Sequence, residues 1–219
     1  MKYYNIHTHK ESNDPKVQEI VNILFKKEPL VPDIKENKFY SLGIHPWYIP
    51  ETKIWPQIIK EMKEVLNRPE IIAIGECGID TLATASVEKQ IQLFRLQIGL
   101  SETLRKPVII HCVKAWSEII DLHNKLKPSQ PWIIHGFRGK PQLAESLLKH
   151  GLHISVGMHC PQKLPEVTTS NHILVETDDS EVTIQDVYTQ ISNIWKIKPE
   201  ILKEQIHRNF QQIFRTNKE

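Results

Sequence analysis

Residues 71–112 read IIAIGECGIDTLATASVEKQIQLFRLQIGLSETLRKPVIIHC, with two short apolar stretches on either side of an amphipathic one. IIAIGE (71–76) and PVIIHC (107–112) predict buried strands, because apolar, β-branched runs of this length are typical of a parallel sheet covered on both faces. Residues 86–105 between them predict a helix with Ser86 as its N-cap. The stretch therefore predicts a β-α-β unit.

The same alternation continues along the chain in both directions. Further strands are predicted at 3–7, 19–25, 39–46, 131–137, 152–157 and 172–178, and further helices at 53–67, 115–127, 141–150, 183–196 and 200–214. Eight strands alternating with helices predict an α/β fold, a single (β/α)8 TIM-like barrel that occupies residues 1–219 as one domain. Little room remains for a helix between strands 1, 2 and 3, or for a long loop after strand 8, so the barrel is shortened there.

Composition narrows the class of protein further. The chain is 40% hydrophobic and 25% charged, which is ordinary for a globular protein, and its net charge of +2 is low for a dedicated nucleic-acid binder. Nothing resembles a signal peptide, and no apolar run approaches the length of a membrane span. The three cysteines (Cys77, Cys112, Cys160) form no CxxC pair, which indicates a reducing compartment. We therefore expect a cytoplasmic protein without membrane contact.

Side chains with metal-binding chemistry fall at the predicted carboxyl ends of the strands. In a (β/α)8 barrel this edge carries the active site. The six residues are His7, His9, Glu76, His111, His135 and Asp178. Imidazole and carboxylate ligands together suit zinc, manganese, iron or cobalt better than calcium. Six ligands exceed what one tetrahedral zinc needs and are about right for two metals that share a bridging carboxylate.

Strand alternation supports this metal site. His7 and His9 have the same parity and can face the same side of an extended strand. Cys77 and Cys112 have the opposite parity from Glu76 and His111, which favours a packing role for the two thiols. The alternative for any single residue is a structural histidine or a carboxylate that caps a helix. Six such residues at one rim are harder to explain in that way, because buried unpaired charges are costly.

The order of the motifs resembles the TatD-related metal-dependent deoxyribonucleases, which are amidohydrolase-like TIM barrels. The motifs are HTH (7–9), GIHP (43–46), GECGID (75–80), HC (111–112), HGFRG (135–139) and VETD (175–178), and the resemblance runs from about residue 5 to NFQQIF (209–214). It implies that His7 and His9 bind one metal, and that Glu76 bridges two. It also implies that His111 and His135 bind the second metal, and that Asp178 binds metal and positions the attacking water. His45 would contact the substrate or support the metal ligands.

The chain departs from that family pattern at four places. Asn5 replaces the usual Asp before the first histidine, Val113 and Lys114 replace an Arg-Asp pair, and Thr81 replaces an aromatic residue. After Asp178 the chain runs through Asp179, Ser180 and Glu181 almost directly into a helix, where the family has a Pro and a long loop. The shorter connection predicts a more open pocket.

These observations predict a hydrolase with two divalent ions (Zn, Mn, Mg, Fe or Co). The leading hypothesis is metal-assisted hydrolysis of a phosphodiester, a deoxyribonuclease activity on single-stranded ends or short oligonucleotides, with Asp178 and Glu76 as catalytic residues. Arg138 and Lys114 are candidate phosphate contacts, or alternatively solvated surface charges. Two alternatives are an amidohydrolase-like enzyme acting on a small-molecule ester, amide or phosphoester, and a non-catalytic metal-binding protein. None of these three hypotheses requires an obligate protein partner.

Overall fold

The computed structural model describes residues 1–25 and 34–214. Its strands are β1 (Tyr3–Thr8), β2 (Val17–Leu24), β3 (Phe39–Gly43), β4 (Ile71–Asp80), β5 (Val108–Val113), β6 (Trp132–Ile134), β7 (His153–Val156) and β8 (Ile173–Val175). Its α-helices are α1 (Trp55–Leu66), α2 (Val87–Leu104), α3 (Trp116–Leu126), α4 (Pro141–Lys149), α5 (Ile184–Trp195) and α6 (Pro199–Phe214). The strands form one sheet in chain order. This is the (β/α)8 TIM-barrel fold that the sequence predicts.

Contacts divide the chain into two compact units. The first unit comprises Met1–Val21 and Ile133–Glu219, and the second comprises Asn22–Trp132. The prediction of a single domain over residues 1–219 stays a prediction.

In the first unit, helices α5 and α6 cover the outer side of β1 and β8. Phe210 of α6 packs against Tyr4 of β1 with ring centroids 4.6 Å apart. The buried hydroxyl of Tyr188 on α5 accepts a hydrogen bond from the Tyr4 N–H and donates one to the Tyr4 carbonyl, each at 3.1 Å. Buried polar groups need such partners, so these bonds fix where β1 lies on the two helices. The carboxyl end of β1, which carries the two histidines of the HTH motif, is positioned by this packing.

In the second unit, helix α2 packs against β4 and holds the ends of two strands. The side chain of Gln97 accepts from the Ile44 N–H at 2.7 Å and donates to the Ile44 carbonyl at 3.2 Å. Gln90 does the same for Asp80, at 2.7 and 2.9 Å. Both glutamines are 1% exposed. A primary amide has both a donor and an acceptor, so each glutamine bonds both backbone groups of one residue at or just beyond the end of a strand.

The predicted elements are confirmed, with four corrected strand ends. β4 runs to Asp80 rather than ending at Glu76, so Glu76 lies inside the strand. β3 ends at Gly43 rather than at Pro46, because the His45 imidazole caps a 3-10 turn at Pro46–Tyr48 by accepting from the Trp47 N–H at 3.1 Å.

β6 and β8 each end three residues earlier than predicted, at Ile134 and Val175. Gly136 and Asp178 just beyond them have φ values of 59° and 56°, which an extended strand does not allow. Residues 9–16 between β1 and β2 contain no helix, as predicted. Part of the stretch between β2 and β3, at 26–33, lies outside the described residues.

Candidate metal centre

The first unit gathers three imidazoles around one carboxylate, a group we call the His7 cluster (His7, His9, His135, Asp178). The Nε2 atoms of His7 and His9 lie 3.5 and 3.6 Å from Asp178 Oδ1. The rings of His7 and His135 are 4.4 Å apart between centroids. His7 is fully buried, whereas His9 and Asp178 are partly exposed, with 30% and 25% of their side chains accessible. The two histidines of the HTH motif therefore face the same side, as their parity predicts.

Backbone hydrogen bonds hold Asp178 between these two histidines. Its N–H donates to the His7 carbonyl at 3.0 Å, and its carbonyl accepts from the His9 N–H at 3.1 Å. An isolated parallel bridge between Thr8 and Asp178 accompanies them, so this segment joins β1 beyond the end of β8. Asp178 has a left-handed backbone, which Asp adopts more readily than most residues. These backbone bonds thus fix the position of Asp178, a candidate metal ligand.

Two further residues support the His7 cluster. The buried Asn5 side chain donates to Thr177 Oγ1 at 2.8 Å and accepts from the Thr177 N–H at 3.1 Å. Glu176 is 1% exposed, and its Oε1 lies 3.3 Å from His135 Nδ1. A carboxylate at one ring nitrogen fixes the tautomer and orientation of a histidine, which leaves the other nitrogen to bind a metal.

The second unit contains another group, which we call the Glu76 cluster (His45, Glu76, Asp80, His111). Glu76 Oε1 lies 2.8 Å from His111 Nδ1 and 3.3 Å from His45 Nε2. The Nε2 atom of His111 is 3.1 Å from Asp80 Oδ2. His111 therefore has a carboxylate at each ring nitrogen. Glu76, Asp80 and His45 are 4%, 1% and 6% exposed.

Asp80 is kept ionised by its hydrogen bonds. Burial alone would raise the pKa of this carboxyl, but donors from the Leu82 N–H, His111 and the Trp47 indole outweigh burial and hold the pKa below its usual value. The Leu82 N–H lies 2.8 Å from Oδ1, and Trp47 Nε1 lies 2.6 Å from Oδ2. A carboxylate at Asp80 can orient His111 in the manner that metal-binding histidines need.

Asn22 fixes Glu76 from β2. Its Oδ1 accepts from the Glu76 N–H at 2.8 Å and from the Ser41 hydroxyl at 3.1 Å. Its Nδ2 lies 3.5 Å from Glu76 Oε2, at the limit of a hydrogen bond. The buried Asn22 amide thus contacts both the backbone N–H and the carboxylate of Glu76.

The donor atoms fit a divalent metal in each cluster. One donor from each of His7, His135 and Asp178 lie within 4.8 Å of one another, and the same holds for His45, Glu76 and His111. Metal–ligand bonds of about 2.0–2.2 Å place two donors on one ion at most about 4.4 Å apart. The Nε2–Oδ1 distances of His7 and His9 to Asp178 meet that limit. Each cluster combines imidazole with carboxylate groups, the set that zinc, manganese and iron accept.

The other predicted residues are placed as follows. Arg138 is exposed and lines a cavity of about 200 Å³ together with Asp178 and His159. Lys114 is exposed just beyond β5, with a φ of 53°. Cys77 and Cys112 are buried, and burial raises the pKa of both thiols, that of Cys112 to about 12. Such thiols stay protonated, which suits the packing role predicted for them.

Sequence reasoning missed three residues that touch the clusters. Asp80 is four positions after Glu76 on the same strand, so the two side chains share a face by parity. Glu176 stands two positions before Asp178 in the VETD motif. Asn22 is a polar residue within an apolar strand, VQEIVNIL. Each carried a signal, but none lies at the end of a predicted strand, because the strand that contains Asp80 was predicted to end at Glu76.

A TIM barrel with histidine–carboxylate clusters around its strand ends defines the class of the protein as a metal-dependent hydrolase. The chain belongs to the TatD related DNase family, whose model matches residues 26–215.

Individual relatives agree with this assignment. An uncharacterized metal-dependent hydrolase from Buchnera aphidicola is 29% identical over 200 residues, which are 81% of this chain and 74% of that protein. The 3'-5' ssDNA/RNA exonuclease TatD from Erwinia billingiae is 30% identical over 149 residues, and the match spans 63% of this chain but only 56% of the exonuclease.

Solved structures show the same fold. The TatD homologue YjjV from Escherichia coli superposes with a TM-score of 0.82 at 17% identity, covering 98% of both chains. A TatD family hydrolase from Entamoeba histolytica gives 0.78 at 15% identity, covering 97% of this chain and 98% of that one. Among residues 1–25 and 34–214, no helix has both the length and the apolar character to span a membrane.

Proposed function

We propose that this protein is a metal-dependent phosphodiesterase that cleaves single-stranded nucleic acid, with two divalent ions per chain. The observation that carries the proposal is the paired set of histidine–carboxylate clusters, each with donor atoms at metal-ligand spacing. The exonuclease name of the Erwinia relative supports a nucleic-acid substrate. The ions would come from zinc, manganese, magnesium, iron or cobalt.

Four side chains would hold an ion at the His7 cluster, and Glu76, His111 and His45 are the candidate ligands of a second. When bound, such ions lower the pKa of water and offset charge on the phosphoryl oxygens. Asp178 would orient the attacking water and accept its proton, because its carboxylate is partly exposed at the cavity that also contains Arg138. Arg138 would bind a phosphate oxygen of the substrate, with Lys114 a second candidate.

The net charge of the chain and the size of the cavity beside Asp178 favour a substrate with free ends or single strands. A net charge of +2 does not supply a long basic track for duplex DNA. The cavity beside Asp178, about 200 Å³, is too small for an intact duplex.

The test is cleavage of matched single- and double-stranded oligonucleotides, labelled at either end, by protein loaded with each candidate ion. We expect faster loss of single-stranded substrate, with Asp178→Asn as the inactive control. Preferential internal cutting of duplex would contradict the proposal. Hydrolysis of small phosphoesters or esters without any cleavage of oligonucleotides would assign the clusters to a small-molecule hydrolase instead, and metal binding without turnover of any substrate would make the protein non-catalytic.

A further inference from the structure

Large apolar side chains are exposed beside the Glu76 cluster. Among the described residues the exposed large apolar side chains are Met1, Trp47, Tyr48, Leu82, Leu96 and Ile201. Three of these six, Trp47, Tyr48 and Leu82, adjoin the polar cluster and are 57%, 45% and 67% exposed. We call these three the aromatic rim. Exposed apolar residues that border a polar site mark a binding surface more often than scattered ones do.

The cluster itself holds the rim in place. The Trp47 indole donates to Asp80 Oδ2 at 2.6 Å, and the Leu82 N–H donates to Asp80 Oδ1 at 2.8 Å. The rings of Trp47 and Tyr48 have centroids 5.3 and 5.9 Å from that of His45. The indole is therefore fixed in orientation while more than half of the residue remains accessible. A rigid aromatic face loses little conformational entropy when a flat ligand covers it.

A cavity adjoins the aromatic rim, and it is lined by Trp47, Tyr48 and residues that follow them in sequence. It has a volume of about 550 Å³ and is lined by Trp47, Tyr48, Ile49, Pro50, Glu51, Lys53 and Ile54. This volume lies within the range of small-ligand sites. The exposed Lys53 ammonium, paired with Glu51 at 2.7 Å, lies at the same cavity.

We propose that Trp47 and Tyr48 form a stacking platform for one nucleobase of a single-stranded nucleic acid. The inference rests on the proposed function and names a subsite for it. Bases stack on aromatic side chains largely irrespective of sequence, because every base has a π-face. An apolar protein segment seated here would have to cover the exposed charges of Lys53 and Glu51 at the same cavity, which is costly. A nucleotide instead places its base on the indole and its polar backbone beside the cluster.

Binding without metal separates this platform from catalysis. Wild-type protein, Trp47→Ala, Trp47→Phe and Tyr48→Ala would be stripped of metal with a chelator. Each would then be titrated into a labelled thymidine 12-mer and into a 12-mer of the same length with abasic sites throughout. Leu96→Ala is the matched control, because Leu96 is an exposed apolar residue on α2, and it should leave both affinities unchanged.

Trp47→Ala should weaken binding of the thymidine oligonucleotide about 10-fold, the scale of one lost stacking contact, and change binding of the abasic one by less than about 2-fold. Trp47→Phe keeps an aromatic face but not the indole N–H, so it should stay within about 3-fold of wild type for both. Tyr48→Ala should also weaken binding of the thymidine oligonucleotide more than binding of the abasic one. This change leaves the hydrogen bond from the N–H of residue 48 to the His45 carbonyl in place.

Equal losses on the two oligonucleotides, or equal wild-type affinity for them, would overturn the platform. Cleavage by metal-loaded wild type is measured in parallel. Cleavage without base discrimination overturns only the platform. Base-dependent binding without any cleavage supports the platform as a nucleic-acid site and overturns the proposed catalytic function.

Discussion

The His7 cluster and the Glu76 cluster use the same side-chain types but hold them differently. In the Glu76 cluster, His111 lies against carboxylates at 2.8 and 3.1 Å, and Glu76 and Asp80 receive further bonds from Asn22, Trp47 and the Leu82 N–H. In the His7 cluster, two imidazoles approach one oxygen of Asp178 at 3.5 and 3.6 Å, which exceeds hydrogen-bond length. The groups of the Glu76 cluster are joined by direct hydrogen bonds. The donor atoms of the His7 cluster lie at distances that two ligands of one metal ion would have.

We propose that the two clusters have different roles in the metal-dependent reaction. The rigid Glu76 cluster is suited to hold a metal and a substrate phosphate in fixed positions. The His7 cluster has a partly exposed carboxylate that can reach water and move a proton. The following four predictions test that difference, in order of decreasing effect.

The largest effect is expected at Asp178. Asp178→Asn should lower kcat by at least about 100-fold, because the amide cannot accept a proton from water at neutral pH. The backbone bonds of residue 178 to His7 and His9 do not involve the side chain, so the fold should be unchanged. Steady-state kinetics measures the loss, and elemental analysis should show that the metal content falls by less than one ion. Wild-type turnover in this variant would remove Asp178 from the mechanism.

The second effect concerns metal content. Saturated protein should hold about two divalent ions, since the seven candidate ligands of the two clusters are too many for one open catalytic ion. His7→Ala should reduce this number to about one, because the Glu76 cluster keeps all its groups. Elemental analysis after dialysis gives the count, and the matched change is His172→Ala, an exposed histidine that adjoins neither cluster. A single ion in saturated wild type would contradict the model with two metals.

The third effect compares the two asparagines that support the clusters. Asn5→Leu and Asn22→Leu should each lower the free energy of unfolding by about 1–3 kcal/mol, because each leaves a buried N–H without its acceptor. Only Asn22→Leu removes contacts to a proposed metal ligand, Glu76, so it should also weaken metal binding about 10-fold or more.

Denaturant unfolding and metal titration measure the two quantities separately. Asn5→Asp is the control, because a carboxylate can accept from both the N–H and the hydroxyl of Thr177, and it should cost less than Asn5→Leu. If both leucine variants weakened metal binding equally, the difference between the clusters would not hold.

The smallest effect is electrostatic. Contact with about 2–3 phosphates predicts that log affinity for a single strand falls with log salt at a slope of about −1.4 to −2. Arg138→Ala should flatten the slope by about 0.7 if its guanidinium binds one phosphate, and Lys114→Ala tests the second candidate in the same way. A slope steeper than about −5 would show a long basic contact in place of the small, open pocket that the sequence predicts.

Sequence patterns predicted the barrel well because short apolar, β-branched runs alternate regularly with amphipathic stretches along the chain. The helix from Ser86 is a good example, since its cap and its amphipathic face agree. Strand ends were less accurate, because a left-handed residue such as Gly136 or Asp178 ends a strand without changing its apolar pattern. The predicted site residues all had strand-end positions.

Asp80 ends β4 in the structure but lay beyond the predicted strand, and Asn22 lies inside β2. The roles of both residues depend on contacts between residues far apart in sequence. Asn22 and Glu76, for example, are separated by 54 positions. No local periodicity encodes such a contact. The available signal was a polar residue, Asn22, within an apolar strand. It identifies Asn22 only if every strand position is considered, and not the strand ends alone.

The hydrogen bonds that join Asp178 to β1 also set the timing of assembly during synthesis. Thr8 and Asp178 are separated by 170 positions. At about 5–20 residues per second, roughly 10–30 s pass on the ribosome between the two. A nascent chain therefore exposes His7 and His9 long before their carboxylate partner exists. The Asp178 carboxylate is added 170 positions after Thr8, so a nascent chain that has not yet reached it cannot form the complete His7 cluster.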